Sequence, residues 1–334
     1  ATPESRPIHR SVDVTRADLR SAVFEFLQVL RNPTVDAKKP GKRLYDLVIA
    51  PVAKELAQLQ TVAILYAPDD ALRYVPLSAF YDGDQWLIEK FRVSNWTDSS
   101  RVNLSASMAG DLKVIGGAYT VAGHSFTVGA ETFSFSGLPF AGKEMETIGE
   151  LDPDTLSFPG DNFVFGDLYQ ERQDFNVIHL ATHAAIVVGQ PSDSFILFGD
   201  GKRVSIQDIR TLNFDLDLAV LSACETAVSG NTGNGVEVLG LGYAMQQSGV
   251  RSTIASLWSV SDGGTHALMS EFYTQLEAGK SKSEALQIAQ QMMIENDQHS
   301  IESANRGLSL PTDVTTRLSH PFYWAPFIVI GSGL

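Results

Sequence analysis

Only one cysteine, Cys224, occurs in the 334 residues. That excludes an intramolecular disulfide framework and any zinc site built from several thiolates, and it suits a reducing compartment. Basic residues are scarce: 25 Lys and Arg against 39 Asp and Glu leave a net charge of −14. Nucleic acid and anionic membrane are thereby disfavoured as the main partner, because phosphates need Lys and Arg to neutralise them. The same deficit fits a basic partner or substrate, although acidity also serves solubility. No apolar run reaches the roughly 18 residues of a membrane-crossing helix. Residues 1–30 carry too many charges for a secretory signal, so a cytoplasmic protein is expected. Internal repeats and low-complexity tracts are lacking too. The chain opens Ala1-Thr-Pro-Glu-Ser5 rather than on Met, which reads as an excised or processed fragment.

What is present is ordinary globular material: 44% hydrophobic, 19% charged, and long enough for one large domain or two moderate ones. Short β-rich runs lie at Thr61–Ala67, Lys113–Gly117, Val177–Thr182, Leu218–Ala223, Thr253–Trp258 and Phe327–Ile330. Lacking polar alternation, they predict strands buried on both faces of a parallel sheet. Helical patterns fall between them, at Gly235–Ser248 and Thr265–Glu277, and earlier at Ala17–Arg31 and Lys42–Leu59. Thr15 with Asp18 and Ser281 with Glu284 mark two helix starts. The alternation predicts an α/β sheet covered on both faces. Residues 72–96 read as a hairpin-like stretch turning at Asp82-Gly83-Asp84, and His124–Val128 with Glu131–Phe135 as a β-hairpin. Residues 97–111 are the best linker, dividing an N-terminal region (1–111) from a second domain (112–334). Residues 296–319 read as a long loop.

Several motifs fail on inspection. Gly279-Lys280-Ser281 follows a helix and has Thr274 where a P-loop needs Gly. Gly233-x-Gly235 has Val238 where a dinucleotide fingerprint needs its third Gly. Gly123-His-Ser-Phe-Thr127 lacks the second Gly of a nucleophile elbow. His179 and His183 have zinc-protease spacing but Leu180 between them instead of Glu, and on a strand they stand about 13 Å apart. No cofactor or metal is expected.

One constellation survives. His183 follows the strand Val177–Thr182 by one residue, and Cys224 follows Leu218–Ala223 by one residue. In open α/β sheets, chemistry sits beyond the carboxyl ends of the strands. If the two strands are parallel neighbours, about 5 Å apart, the residues emerge side by side. A thiol of pKa about 8.5 is mostly protonated at neutral pH, and an imidazole can take its proton and later protonate a leaving amine. Backbone N–H groups of Cys224 and of the loop after His183 are candidate oxyanion donors.

The segments His179-Leu-Ala-Thr-His183-Ala and Leu221-Ser-Ala-Cys224-Glu-Thr-Ala resemble the CHAT family of caspase-like peptidases, relatives of separase. So do Pro68-Asp-Asp-Ala-Leu-Arg-Tyr-Val-Pro-Leu-Ser-Ala-Phe80, Leu138-Pro-Phe-Ala-Gly-Lys-Glu144, Ala255-Ser-Leu-Trp-Ser-Val-Ser-Asp262 and His320-Pro-Phe-Tyr-Trp-Ala-Pro-Phe327. The resemblance covers nearly everything after residue 60. It implies a caspase-like α/β three-layer sandwich with a mostly parallel central sheet, preceded by a degenerate caspase-like N-terminal half. It implies a His183–Cys224 peptidase dyad acting on protein or peptide substrates, and fusion to or association with tetratricopeptide or other sensor modules. Where the wider group has Gly after the His, this chain has Ala184, which keeps the backbone N–H for an oxyanion site. A basic P1 preference is also implied, and with it an acidic S1 pocket. Asp262 is the first candidate for that pocket, Asp193 and Asp200 the weaker ones. Asp262 also suits a helix N-cap. Glu225, beside Cys224, would raise the thiol pKa by like-charge repulsion if it faces the sulfur. The alternative is a catalytically inactive caspase-like interaction module, for which Ala184 and the long loop are the pointers.

Overall fold

Runs of apolar residues without polar alternation end up in the middle of a sheet. The computed structural model describes residues 7–97, 110–121, 123–128, 131–185, 193–222, 240–260, 262–295 and 318–334. Among them, thirteen strands run in chain order: β1 (Ala63–Tyr66), β2 (Arg92–Asn95), β3 (Val114–Ala118), β4 (His124–Val128), β5 (Glu131–Phe135), β6 (Leu156–Pro159), β7 (Val177–Ala181), β8 (Ala184–Ala185), β9 (Phe195–Leu197), β10 (Arg203–Ser205), β11 (Leu216–Leu221), β12 (Val250–Ser256) and β13 (Phe327–Gly331). The α-helices are α1 (Arg16–Leu30), α2 (Lys38–Val48), α3 (Ala53–Gln58), α4 (Leu87–Lys90), α5 (Pro139–Leu151), α6 (Phe165–Glu171), α7 (Ile206–Ile209), α8 (Gly240–Gln247), α9 (Asp262–Glu277), α10 (Lys282–Glu295) and α11 (Pro321–Trp324).

Eight strands form one sheet in the order β1-β2-β13-β12-β11-β7-β3-β6. Its pairs are parallel except β12 with β13. Strands β3, β7, β11 and β13 are buried at every residue, as strands covered on both faces must be. Alternate side chains of β7 show the two covering layers. Ile178 and Leu180 lie among Leu168 of α6, Ile209 of α7 and Met245 of α8. His179, pointing the other way, meets Glu144 of α5 and Tyr273 of α9. The molecule is therefore a three-layer α/β sandwich. Tight layering shows at Gly117, where an added Cβ would come 2.0 Å from the Phe163 ring.

The N-terminal segment joins this sheet. β1 and β2 extend it past β13, with Ser94 opposite Val329. The linker expected at 97–111 and the loop expected at 296–319 lie mostly outside the described residues. Three local readings need correction. The stretch 72–96 forms no hairpin ladder: Tyr81 and Trp86 make one isolated antiparallel bridge, and the Asp82 carboxylate accepts from Asp84 and Gln85 N–H groups. The chain then turns through α4 so that β2 lies parallel to β1. The helix expected over Lys42–Leu59 breaks after Val48, because Pro51 has no N–H to donate and disfavours helical geometry just before it. Strand β6, short and at the sheet edge, has no counterpart among the expected strands; with only four residues ending in Pro159, it carries too little pattern.

Both helix starts form as expected: Thr15 Oγ1 accepts from Asp18 N–H at 3.1 Å and Ser281 Oγ from Glu284 N–H at 3.4 Å. Strands β4 and β5 form the expected hairpin, Phe126 opposite Phe133. Trp258 and Trp324 are core, 3% and 0% exposed.

Candidate active site

The carboxyl ends of β7 and β11 meet, as their sequence positions predict. The two strands are parallel neighbours, Val220 opposite His179 and Leu221 opposite Leu180. Strand β7 ends at Ala181, and two residues later His183 projects from its tip, 6% exposed. Its backbone is fixed from the side: Leu197 N–H donates to the His183 carbonyl at 2.9 Å, and the Thr182 hydroxyl donates to the Leu197 carbonyl. Ala184 opens β8, pairing with Ile196, and is buried.

The imidazole is oriented just as firmly. Nε2 lies 2.7 Å from the carbonyl oxygen of Ser136, at the end of β5. A carbonyl only accepts, so Nε2 carries the hydrogen and, in the neutral ring, the lone pair belongs to Nδ1. Tyr119 stands edge-on to the ring at 5.2 Å between centroids, and Phe135 lies at 5.0 Å. These residues belong to a small second core of Tyr119, Phe133, Phe135, Ala185, Phe195 and Leu197. Burial pushes the Tyr119 hydroxyl above its ordinary pKa, and that hydroxyl is bonded to His124 Nδ1 on the hairpin. His124 in turn packs against Gly201, whose φ of +78° and missing Cβ leave room for the ring. The hairpin is thus a wall that holds the ring of His183.

The three acidic candidates differ in what holds them. Asp262 begins α9 just past β12, and its Oδ2 accepts from the N–H of Phe140 at 2.6 Å. It stands in the first turn of its own helix and also accepts at the N-terminus of α5. Burial first, and the nearby charge of Glu144 after it, raise its pKa to about 6 against the pull of the backbone N–H groups. Ser136 and Phe140 are four residues apart in one segment, so that segment ties His183 to Asp262 within about 14 Å of chain. Asp200 is bound to its own loop by the Lys202 N–H at 3.0 Å and the Lys202 ammonium at 2.9 Å. Asp193 sits half-buried in the turn before β9. Asp262 is linked through hydrogen bonds to the segment that orients His183. Cys224 and Glu225 lie outside the described residues.

Residues 38–332 match the family described as the CHAT domain. The chain belongs to the CHAT-domain family. This CHAT domain is similar in fold to several solved structures. One is Saccharomyces cerevisiae separase in its securin complex, at 11% identity and TM-score 0.42, covering 72% of this chain and 14% of that one. Another is the Arg-specific cysteine proteinase gingipain R, at 8% identity and TM-score 0.49, covering 95% of this chain and 74% of that one. A third is the complex of Porphyromonas gingivalis RgpB pro- and mature domains, at 9% identity and TM-score 0.46, covering 95% and 76%. The CHAT domain thus spans 14% of the length of the separase chain it matches. No curated protein matches it by sequence.

Sequence reasoning passed over Tyr119, Ser136 and Glu144. The first two act through a backbone carbonyl and a ring edge, which leave no residue-type signature. Glu144 did leave one: it shares the helix face of Ala141, Met145 and Ile148, an acidic residue where the pattern calls for an apolar one. Among the described residues no helix is long and apolar enough to cross a membrane.

Proposed function

We propose that this CHAT domain is a cysteine endopeptidase in which Cys224 is the nucleophile and His183 the general acid–base. One observation carries the reading: His183 is oriented at the carboxyl end of β7 with its Nε2 engaged by the Ser136 carbonyl. Nδ1 is thereby the basic nitrogen. The β7–β11 ladder runs with a constant offset of 41 positions, the same offset that separates His183 from Cys224.

The chemistry follows from those two groups. His183 Nδ1 takes the thiol proton, and the Cys224 sulfur attacks the carbonyl carbon of the scissile bond. The N–H groups of Ala184 and Cys224 stabilise the oxyanion. As the tetrahedral intermediate collapses, the C–N bond breaks and His183 passes its proton to the leaving amine. A thioester remains. His183 then takes a proton from water, whose hydroxide oxygen displaces the thiol and releases the carboxylic acid. The substrate is a protein or peptide, and an associated tetratricopeptide-type module is the expected means of presenting it. The single thiol nucleophile fits work in the reducing cytoplasm.

Asp262 is proposed as the acidic partner of a basic P1 side chain, with Asp193 and Asp200 as weaker alternatives. With its pKa raised to about 6, the carboxyl is mostly ionised at neutral pH and becomes neutral as the pH falls below that value. KM for an Arg-P1 or Lys-P1 peptide is therefore expected to rise as the pH falls through about 6. Asp262→Asn, which keeps an acceptor oxygen for Phe140, should raise KM at neutral pH and flatten that dependence. A variant with the wild-type KM profile would place the P1 contact elsewhere. The test of the activity itself is a P1-diverse peptide library, in which cleavage should concentrate after Arg or Lys.

A further inference from the structure

Directly behind the proposed reacting pair, the sheet contains a cluster of buried polar groups. His179, four residues before His183 on the same strand, is fully buried. Its Nε2 lies 2.7 Å from Glu144 Oε1 on α5, its Nδ1 2.9 Å from the Tyr273 hydroxyl on α9, and its Nε2 also 3.3 Å from Ser222 Oγ. Glu144 is 2% exposed, Tyr273 0% and Ser222 1%. Ser222 follows the end of β11, two residues before Cys224. His266 and Thr147 lie beside the same cluster, 3.4 Å apart, and Asp262 feels the Glu144 charge.

The hydrogen bonds have a definite direction. With the phenol donating to Nδ1, the ring N–H stands at Nε2, within hydrogen-bond reach of Ser222 Oγ and in close polar contact with Glu144 Oε1. Burial, reinforced by the Glu144 charge, holds the Tyr273 pKa well above its usual range, so the phenol stays a donor. Glu144 Oε1 stands 2.7 Å from Nε2 without hydrogen-bond geometry among the described residues, so Glu144 joins the chain through charge and contact. Burying a carboxylate carries a desolvation penalty even when it is paired, so apolar side chains would fill this layer with less loss of stability. What the polar chain adds is position. It ties α5 and α9 to β7 and, through Ser222, to the end of β11.

We propose that Tyr273, His179 and Glu144 form a buried positioning chain that sets the spacing of His183 and Cys224. The inference rests on the dyad reading above. Displacing reacting groups by about 1 Å costs on the order of 100-fold in rate, so even slight slackening of the two strand ends should register.

The experiment uses the only thiol in the chain as its own reporter. Iodoacetamide alkylation of Cys224 is followed from pH 5 to 10 in wild type, Tyr273→Phe and Ser222→Ala, with melting midpoints and peptide kinetics in parallel. Tyr273→Phe keeps the ring and removes one hydroxyl. It is expected to move the alkylation midpoint up toward the free-thiol value of about 8.5 and to lower the rate at pH 7 about tenfold. The expected loss in peptide hydrolysis falls on kcat, with KM nearly unchanged. Ser222→Ala should shift the profile the same way, by less. If wild type shows a perturbed profile that both variants retain, the positioning inference alone is overturned. A wild-type thiol that titrates like free cysteine, or does not react, contradicts the dyad reading and this inference together.

Discussion

Cys224→Ala is expected to remove peptide hydrolysis altogether, at least about 10³-fold, while leaving secondary structure and the melting midpoint nearly unchanged. The size follows from the chemistry: no other thiol exists in the chain to take its place, and water must then attack the carbonyl without a covalent intermediate. His183→Ala should cost a similar amount for a different reason. The thiol would survive but lose its base, and the leaving amine its acid. Because the two residues act as a unit, the double variant should be no worse than either single one. Hydrolysis assays on purified variants, normalised to folded protein by circular dichroism, check this. Undiminished turnover in Cys224→Ala would remove the cysteine from the mechanism.

Trp324→Ala should be the most damaging core substitution, by about 3–5 kcal/mol. The indole is fully buried, its N–H donates to the Ser319 carbonyl at 3.1 Å, and its ring meets Trp86 edge-on at 5.8 Å. Trp86 belongs to the N-terminal segment, which is also stitched to α10 through Gln287 Nε2 and the Ile88 carbonyl at 2.7 Å. The loss should therefore be felt across the whole sheet. Denaturant unfolding followed by tryptophan fluorescence and by far-UV circular dichroism should show one shared transition, shifted to lower denaturant in the variant. Separate transitions for the two probes would mean that the N-terminal strands unfold on their own.

The central strands were legible in sequence because burial on both faces writes itself as an uninterrupted apolar run, as in Val177–Thr182 and Leu218–Ala223. The position of His183 at a strand tip followed directly, as did its neighbouring strand. Edge elements were harder to read: β6 ends in a proline, and β2 pairs in parallel with β1 although a turn signal at Asp82-Gly83-Asp84 suggested a hairpin. That turn is real, but it closes on a single bridge. The orientation of His183 was not legible at all, since it depends on a backbone carbonyl at Ser136 and an aromatic edge at Tyr119. Asp262 was legible as a helix cap, but its bond at the N-terminus of α5 is a tertiary fact. The buried chain through His179 looked from sequence like half of a metal motif. The structure sets its two ring nitrogens beside Glu144 and Tyr273 instead.

The central claim, a nucleophilic Cys224 activated by His183 and reading a basic P1 residue, is tested most directly by affinity labelling. A peptide acyloxymethyl ketone with Arg at P1 is incubated with the folded chain, and intact mass with peptide mapping locates the adduct. The account predicts one adduct, on Cys224, formed far faster than with Asp at P1 and lost in His183→Ala. Labelling that appears only after denaturation, or at equal rates for Arg and Asp probes, would contradict it.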